Sequence, residues 1–351
     1  MRVFIGPMEV AGLGSGWVAG LRALDVHADL VCGQTHRFGY ASDPAPSRIA
    51  RWWAHWGDRR AAVPASRPVA KVLTILAHRL LGWCVLAWAA CRYDVFVFLY
   101  ARTITDTAFD LPLLRLLGRR VVLVFVGSDA RPAYIDGHQF PANAEFSPRL
   151  AQRATRLQRR WIGRLERRAD AVIAARTIAQ FLTRPFVNWF AVGIPTPAVT
   201  AAPREEGSVI RVLHSPSNPV LKGSAEVQAA VTRLQARGVP IELVTIVGRP
   251  NAEVLQALDG CDLVVDQLYS DTPMAAFATE AASLGRPVLV CGCGAAQVAR
   301  HVGPMPLPPT AYVRPQDFEA TLEALATDRD RRQALARECA AFVAEHASEQ
   351  P

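Results

Sequence analysis

The seven cysteines of this 351-residue chain (Cys32, Cys84, Cys91, Cys261, Cys291, Cys293 and Cys339) include no Cys-x-x-Cys pair and no Cys/His ligand spacing. A zinc site or a disulfide frame is therefore not expected, and the thiols read as reduced and mostly buried. The opening MRVFIGPMEV lacks the charged start and apolar core of a secretory signal, which makes a cytoplasmic protein the expectation. Long apolar runs are missing too. The longest, Leu80 to Cys91, is well short of the roughly 20 residues a membrane span needs, and His78 and Arg79 interrupt it upstream, so a buried core helix is expected there. Acidic residues are outnumbered: 39 Lys and Arg face 31 Asp and Glu, and the net charge of +8 comes mostly from arginine. Such a balance attracts anionic partners without choosing among them. No nucleic-acid motif accompanies it, so nucleic acid is not expected as a partner.

What is present is globular: 51% hydrophobic and 20% charged residues, in a chain long enough for two domains. RVFIG (2 to 6) reads as a strand, followed by a loop with Gly12, Gly14 and Gly16 that opens a helix. Backbone amides at such a start can meet an anion, or the glycines can serve a tight turn alone. A nicotinamide cofactor is discounted. Its fingerprint wants G-x-G-x-x-G directly after the strand, whereas here the spacing is G-x-G-x-G and ADLVCG ends without an acid.

Residues 42 to 68 form a Pro-, Arg- and Trp-rich insertion with one short helix. Together with the apolar segment after it, this basic and Trp-rich stretch suits contact with a membrane surface. YDVFVFLY (93 to 100) and RRVVLVFVGSD (119 to 129) are continuous apolar strands of the kind a parallel sheet buries on both faces. Ser128 and Asp129 then lie at a carboxyl end, where an open α/β sheet binds ligand. Asp129 can accept from a sugar hydroxyl or cap the following turn, and capping is the commoner fate. Residues 147 to 170 form a strongly basic helix.

The first domain is expected to span 1 to 195, a linker 196 to 208, and a second domain 209 to 351. In the second, VLHSPSNPVLKGS, IELVTIVG, DLVVDQLYSDTPMAAFATEAASLG and RPVLVCG alternate strand and helix patterns. Lys222 and Glu280 are expected at strand-to-helix corners. A cation beside a helix start suits a phosphate and a carboxylate suits sugar hydroxyls, which together suggest a nucleotide-sugar site.

LHSPSN with LKGS, then VVDQL, then AFATEAASLGRPVLV, resemble the donor domain of retaining GT-B glycosyltransferases of family four. DVFVFLYAR and VVLVFVGSDAR match the first domain in outline. The resemblance implies an α/β GT-B fold: two Rossmann-like parallel-sheet domains facing each other across a cleft. It implies transfer of a sugar from a nucleoside-diphosphate sugar to a glycan or lipid-linked acceptor in glycan biosynthesis, with retention of configuration. Lys222 would neutralise the diphosphate, Glu280 would hold the ribose, and Asp129 joins them in the expected catalytic set. Gly12, Gly14 and Gly16 would close over the diphosphate. Gly248 would lie near the base, Asp266 and Gln267 would line the cleft floor, and Ser128, Ser217 and Asn218 complete the donor side. No cofactor or metal is expected, since fixed cations and helix amides suffice for a departing diphosphate.

The chain departs from the family pattern at three places. Thr272, with Asp271 beside it, stands where the family has a glutamate eight positions before Glu280. Val126 replaces a histidine, and Ser217 or Pro219 replaces an arginine. These departures motivate the alternative, a non-catalytic GT-B-like subunit that scaffolds a partner enzyme or membrane assembly. Location at the inner face of a membrane, peripherally attached, fits either reading.

Overall fold

The computed structural model describes residues 1–40, 44–136, 147–189, 207–303 and 306–347. The chain divides into two compact units, Met1–Trp189 and Phe190–Glu349. The expected linker, 196 to 208, falls outside the described residues except at its last two positions.

The first unit runs β1 (Arg2–Gly6), α1 (Leu13–Ala23), β2 (His27–Leu30), α2 (Arg48–Ala62), α3 (Pro68–Ala90), β3 (Val95–Leu99), α4 (Asp110–Leu116), β4 (Arg120–Phe125), α5 (Ala133–Asp136), α6 (Pro148–Glu166), β5 (Ala171–Ala174) and β6 (Val187–Asn188). Its strands form one parallel sheet in the order β2-β1-β3-β4-β5-β6. The apolar runs VFVFL and RVVLVF are buried nearly throughout, as strands covered on both faces must be. Phe4, Phe96, Phe98 and Tyr93 pack as an aromatic group, with Phe4 and Phe96 stacked at 5.2 Å, and the buried faces of α2, α3, α4 and α6 close over it as one core. Within that core Trp53 of α2 stacks on His78 of α3 at 5.4 Å, and the His78 ring meets the Gly33 carbonyl at 2.9 Å. Burial lowers the pKa of His78, so a neutral ring spaces the two helices.

The second unit runs β7 (Ile210–His214), α7 (Pro219–Lys222), α8 (Ser224–Ala236), β8 (Ile241–Thr245), α9 (Asn251–Asp259), β9 (Leu263–Val265), α10 (Ala276–Ser283), β10 (Val288–Cys291), β11 (Ala311–Val313), α11 (Phe318–Thr327) and α12 (Arg329–His346). Its parallel sheet has the order β11-β10-β9-β7-β8. Separate apolar clusters cover its two faces, one reaching α8 and α11, the other α9, α10 and α12.

Two features, the course of α3 and the place of Glu280, differ from the sequence expectations, and two others, a break before α12 and the strand β11, go beyond them. The helix expected as a buried run from Leu80 is part of a 23-residue helix starting at Pro68, and only about a third of its most apolar window is buried. Pro68 supplies the fixed φ that suits a first helical position, which moves the start upstream. The last helical stretch is broken at Asp328, whose carboxylate accepts the Arg331 amide and caps α12. β11, an edge strand of three half-buried residues, carries too short a pattern to be read. Finally, α10 runs from Ala276 to Ser283, so Glu280 lies one turn inside the helix rather than at its corner. None of the seven cysteines forms a disulfide.

Candidate functional site

In the second unit the functional side chains gather after β7 and β9, the two strands flanking the point where the strand order reverses. β7 ends at His214, a fully buried ring whose Nδ1 meets the Val265 carbonyl at 2.8 Å and whose Nε2 meets Ser224 Oγ at 2.9 Å. Burial lowers its pKa, so a neutral imidazole ties the end of β7 to the end of β9 and to the first residue of α8. The loop then passes the exposed Ser217 to Asn218, whose Oδ1 accepts the amides of Val220 and Leu221 and so caps α7.

Lys222 closes α7. Its Nζ lies 3.3 Å from Asp266 Oδ1, one residue past β9, and Asp266 is 1% exposed. Gly223 follows with φ 74°, and a Cβ there would lie 3.0 Å from Leu268 Cβ. Only glycine lets the chain turn this close to the loop after β9, and the Leu268 amide donates to the Lys222 carbonyl across the contact. The chain has one other lysine, Lys71, whose Nζ donates to the carbonyls of Arg60 and Val63 between α2 and α3. Asp266 Oδ2 is buried without a hydrogen-bond partner among the described residues. A buried carboxylate with one free oxygen beside an ammonium is a polarised pair with capacity left for a polar ligand.

The loop continuing from Asp266 is held by its own side chains. Gln267 Nε2 donates to Ser270 Oγ at 2.8 Å, Ser270 Oγ donates to the Thr272 carbonyl at 2.6 Å, and Tyr312 of β11 donates to the Ser270 carbonyl at 2.8 Å. Thr272 Oγ1 turns to the Met274 carbonyl. Lys222, Asp266, Gln267 and Thr272 thus belong to one connected arrangement, which Asp271 borders. Ser270 and Tyr312 are members that sequence reasoning missed. Ser270 sat inside a quoted motif without a pattern of its own, and Tyr312 lay on an unread strand. Glu280 is buried one turn into α10, and its Oε1 accepts from Asn251 Nδ2 at the start of α9 at 2.8 Å. It forms a second polar pair rather than a strand-end carboxylate. Gly248, φ 69°, lies exposed after β8, with open space where a Cβ would be, beside a shallow pocket lined by Thr245, Val247, Arg249 and Glu253.

In the first unit the glycine loop is already filled. The Glu9 carboxylate accepts the amides of Val10, Gly14 and Ser15 at 2.7 to 3.0 Å, and Ser15 Oγ at 2.7 Å. Gly12, φ 83°, turns the chain into α1, and Gly16 donates back to the Gly12 carbonyl. The amides of Gly14 and Ser15 at the helix start therefore hold an anion of the chain's own. Nothing in the sequence marks Glu9 for this, because an acid five residues before a loop glycine has no fixed spacing to report.

Asp129 caps the turn after β4. Its Oδ1 accepts the Gly127 amide at 2.8 Å and the Val126 amide at 3.1 Å. Beside it the Ser128 hydroxyl bonds to that of Tyr100, at the end of β3. Burial pushes the Asp129 carboxyl up to about 6 although the amides of Gly127 and Val126 pull it down. The folded pKa lies above that of an unfolded aspartate, about 3.9, so the fold favours the protonated form. This contribution is present at low pH and is lost as pH rises through about 6. A shift of this size corresponds to about 3 kcal/mol at most. Urea unfolding from pH 4 to pH 7 should accordingly show a declining contribution that Asp129→Asn removes; an unchanged pH profile in the variant would contradict it.

Among the described residues no group of three or more His, Cys, Asp or Glu side chains could hold a metal ion.

No protein-family model matches the sequence, and no curated protein matches it. Solved structures do. Anabaena Alr3699/HepE in complex with UDP and glucose superposes with a TM-score of 0.57 at 14% identity, over 99% of this chain and 95% of that one. The same protein in complex with UDP-glucose gives 0.52 at 14% identity with the same coverage. TarM gives 0.50 at 10% identity, over 78% of this chain and 56% of TarM. At such identities the likeness establishes the fold and no more, and that fold, two α/β units built on parallel sheets of six and five strands, is the one found in GT-B glycosyltransferases.

Proposed function

We propose that the second unit binds the diphosphate of a nucleoside-diphosphate sugar and that the protein transfers the sugar to a glycan or lipid-linked acceptor. The observation that carries this reading is Lys222, a half-buried ammonium held by Asp266 beside the carboxyl ends of β7 and β9. An incoming diphosphate is a better partner for Lys222 than one carboxylate, because it offers several charged oxygens to the ammonium and to the amides at the start of α8. As the glycosidic bond breaks, negative charge grows on the leaving diphosphate, and a fixed cation lowers that barrier. No divalent ion is required if Lys222 and the amides carry this charge. Retention of configuration belongs to the proposal through the sequence resemblance, with Glu280 as the group that orients the ribose. A cytoplasmic site of action completes it.

A second reading has its own observation. Glu9 holds the amides that the resemblance reserves for the diphosphate, and Thr272 stands where a glutamate is expected. A non-catalytic subunit of the same fold would tolerate both.

Thermal-shift titration separates the two. HepE is solved with UDP and UDP-glucose, so these are the first ligands, followed by the corresponding GDP, ADP and TDP compounds. Ligand at about 100 times its dissociation constant stabilises the bound fold by roughly 2.7 kcal/mol. A shift with one nucleotide, diminished in Glu280→Ala, is the expected result. A cooperative melt that no nucleotide moves would leave the non-catalytic reading standing.

A further inference from the structure

The outer surface of the first unit carries a feature that sugar transfer does not use. Moving through β2, β3, β4 and β5 the chain advances in one direction across the sheet, so right-handed crossovers place α3, α4 and α6 on one face, and their buried sides share one core. The opposite side of α3 is open. Val69, Val72, Leu73, Leu76, Leu80 and Trp83 recur at helical spacing and are each 43% to 73% exposed, a straight apolar stripe about 20 Å long. α4, next along the sheet, exposes Leu113 and Leu116.

Exposed arginines sit on two other helices of the same unit. The exposed side of α2, the partner of α3 in the hairpin, carries Arg48, Arg51 and Arg59 with Trp52. The exposed side of α6 carries Arg149, Arg153, Arg156, Arg160 and Arg164. The four helices contain only three acids. Asp110 and Glu166 are buried, and Asp58 is bonded to the Thr35 amide and hydroxyl. The outward charge of these helices is therefore mainly positive, with Asp58 their one partly exposed acid.

We infer that this face docks on the surface of an anionic phospholipid bilayer, with the α3 stripe entering the boundary between headgroups and acyl chains and the arginines of α2 and α6 on the lipid phosphates. Two observations choose this occupant. The apolar stripe lies on the outward side of a helix in a unit whose other exposed helix faces carry arginine, the combination of apolar and cationic surface that suits an anionic membrane interface. The other side of α3 is built into the fold, with Thr74, His78, Gly82, Val85, Leu86 and Ala89 buried and His78 tied to Gly33 and Trp53. A helix long and apolar enough to cross a bilayer is thus held as a surface element, because crossing would empty the core.

The experiment is sedimentation of the full-length protein with vesicles of phosphatidylcholine alone and of phosphatidylcholine mixed with phosphatidylglycerol. Binding is expected to the mixed vesicles and to weaken with salt. Leu73→Glu with Leu80→Glu, both at exposed positions, should weaken it by about tenfold or more, and Arg153→Gln with Arg156→Gln and Arg160→Gln should remove the preference for phosphatidylglycerol. Unchanged melting temperatures of these variants would show that the fold is intact. No binding to either vesicle, or binding that the α3 variants leave intact, overturns the inference. So does a dimer in solution that the α3 variants dissolve, since a second copy would then cover the stripe, or membrane protein that resists alkaline extraction. None of these readouts depends on nucleotide binding, so failure here leaves the proposed transfer reaction to its own test.

Discussion

Lys222→Met is expected to lose two things at once, nucleoside-diphosphate affinity and part of the stability of the second unit. Binding loss follows from removing a charge-assisted contact to the diphosphate, worth about 1.5–3 kcal/mol, or roughly 10- to 100-fold in dissociation constant. Stability loss follows from what remains. Asp266 is 1% exposed, and one of its oxygens already lacks a hydrogen-bond partner among the described residues. Without Lys222 the other oxygen loses its cation as well. Breaking a buried ion pair on one side costs about 3–5 kcal/mol, and because Lys222 itself is 20% exposed, the lower end of that range applies here.

The two losses can be pulled apart by a second substitution. Asp266→Asn on the Lys222→Met background removes the stranded charge while keeping a side chain of similar shape, so the unfolding midpoint should recover most of its loss. Affinity for UDP or the preferred nucleotide, measured by calorimetry, should not recover. If the double variant regained both, or if Lys222→Met unfolded more easily yet bound nucleotide undiminished, Lys222 would be a structural cation only. The departures at Thr272 and Val126 would then weigh in favour of the non-catalytic subunit.

How much of this could be read beforehand depends on how local each cause is. The parallel strands were legible because double-sided burial writes itself as uninterrupted apolar runs, as in VFVFL and RVVLVF. Lys222 and Asp266 were legible as neighbours of strand ends. Asp129 was readable as a cap because its partners are only two and three residues away. Glu280 was misplaced by one helical turn, since Ala275 at the N-cap has no capping side chain to mark where α10 begins. α3 was misread for a different reason. A helix whose solvent face is as apolar as its core face shows no amphipathic period, so its exposed stripe and its true start were both hidden. Glu9 in the amides of the glycine loop, and Tyr312 on the Ser270 carbonyl across a span of 42 residues, are tertiary facts with no sequence period at all.

Two glycines in the first unit should respond to alanine with opposite signs, and the contrast tests the packing of the α2–α3 hairpin. Gly57 lies in α2 and Gly163 in α6, both inside helices. Helix propensity alone favours alanine at each by up to about 1 kcal/mol. At Gly163 the nearest atom to an added Cβ is Arg167 Nη1 at 3.3 Å, the far end of a flexible side chain, so the propensity gain should survive. At Gly57 the Cβ would fall 1.8 Å from the Gly33 carbonyl oxygen, which is backbone and is also the atom that bonds the His78 ring. Gly33 has no easy retreat, because the Trp53 indole stands 2.8 Å from where a Cβ on Gly33 would be. Relieving the clash must separate α2 from the end of the β2 loop, loosen the Trp53–His78 stack, and give up the His78 hydrogen bond. Overpacking of this kind costs about 3 kcal/mol, which exceeds the propensity gain severalfold. Thermal unfolding should therefore show Gly57→Ala melting several degrees below the parent and Gly163→Ala at or above it. Equal and positive shifts would mean that α2 does not rest on Gly33, and the hairpin that presents the apolar stripe of α3 would have to be placed differently.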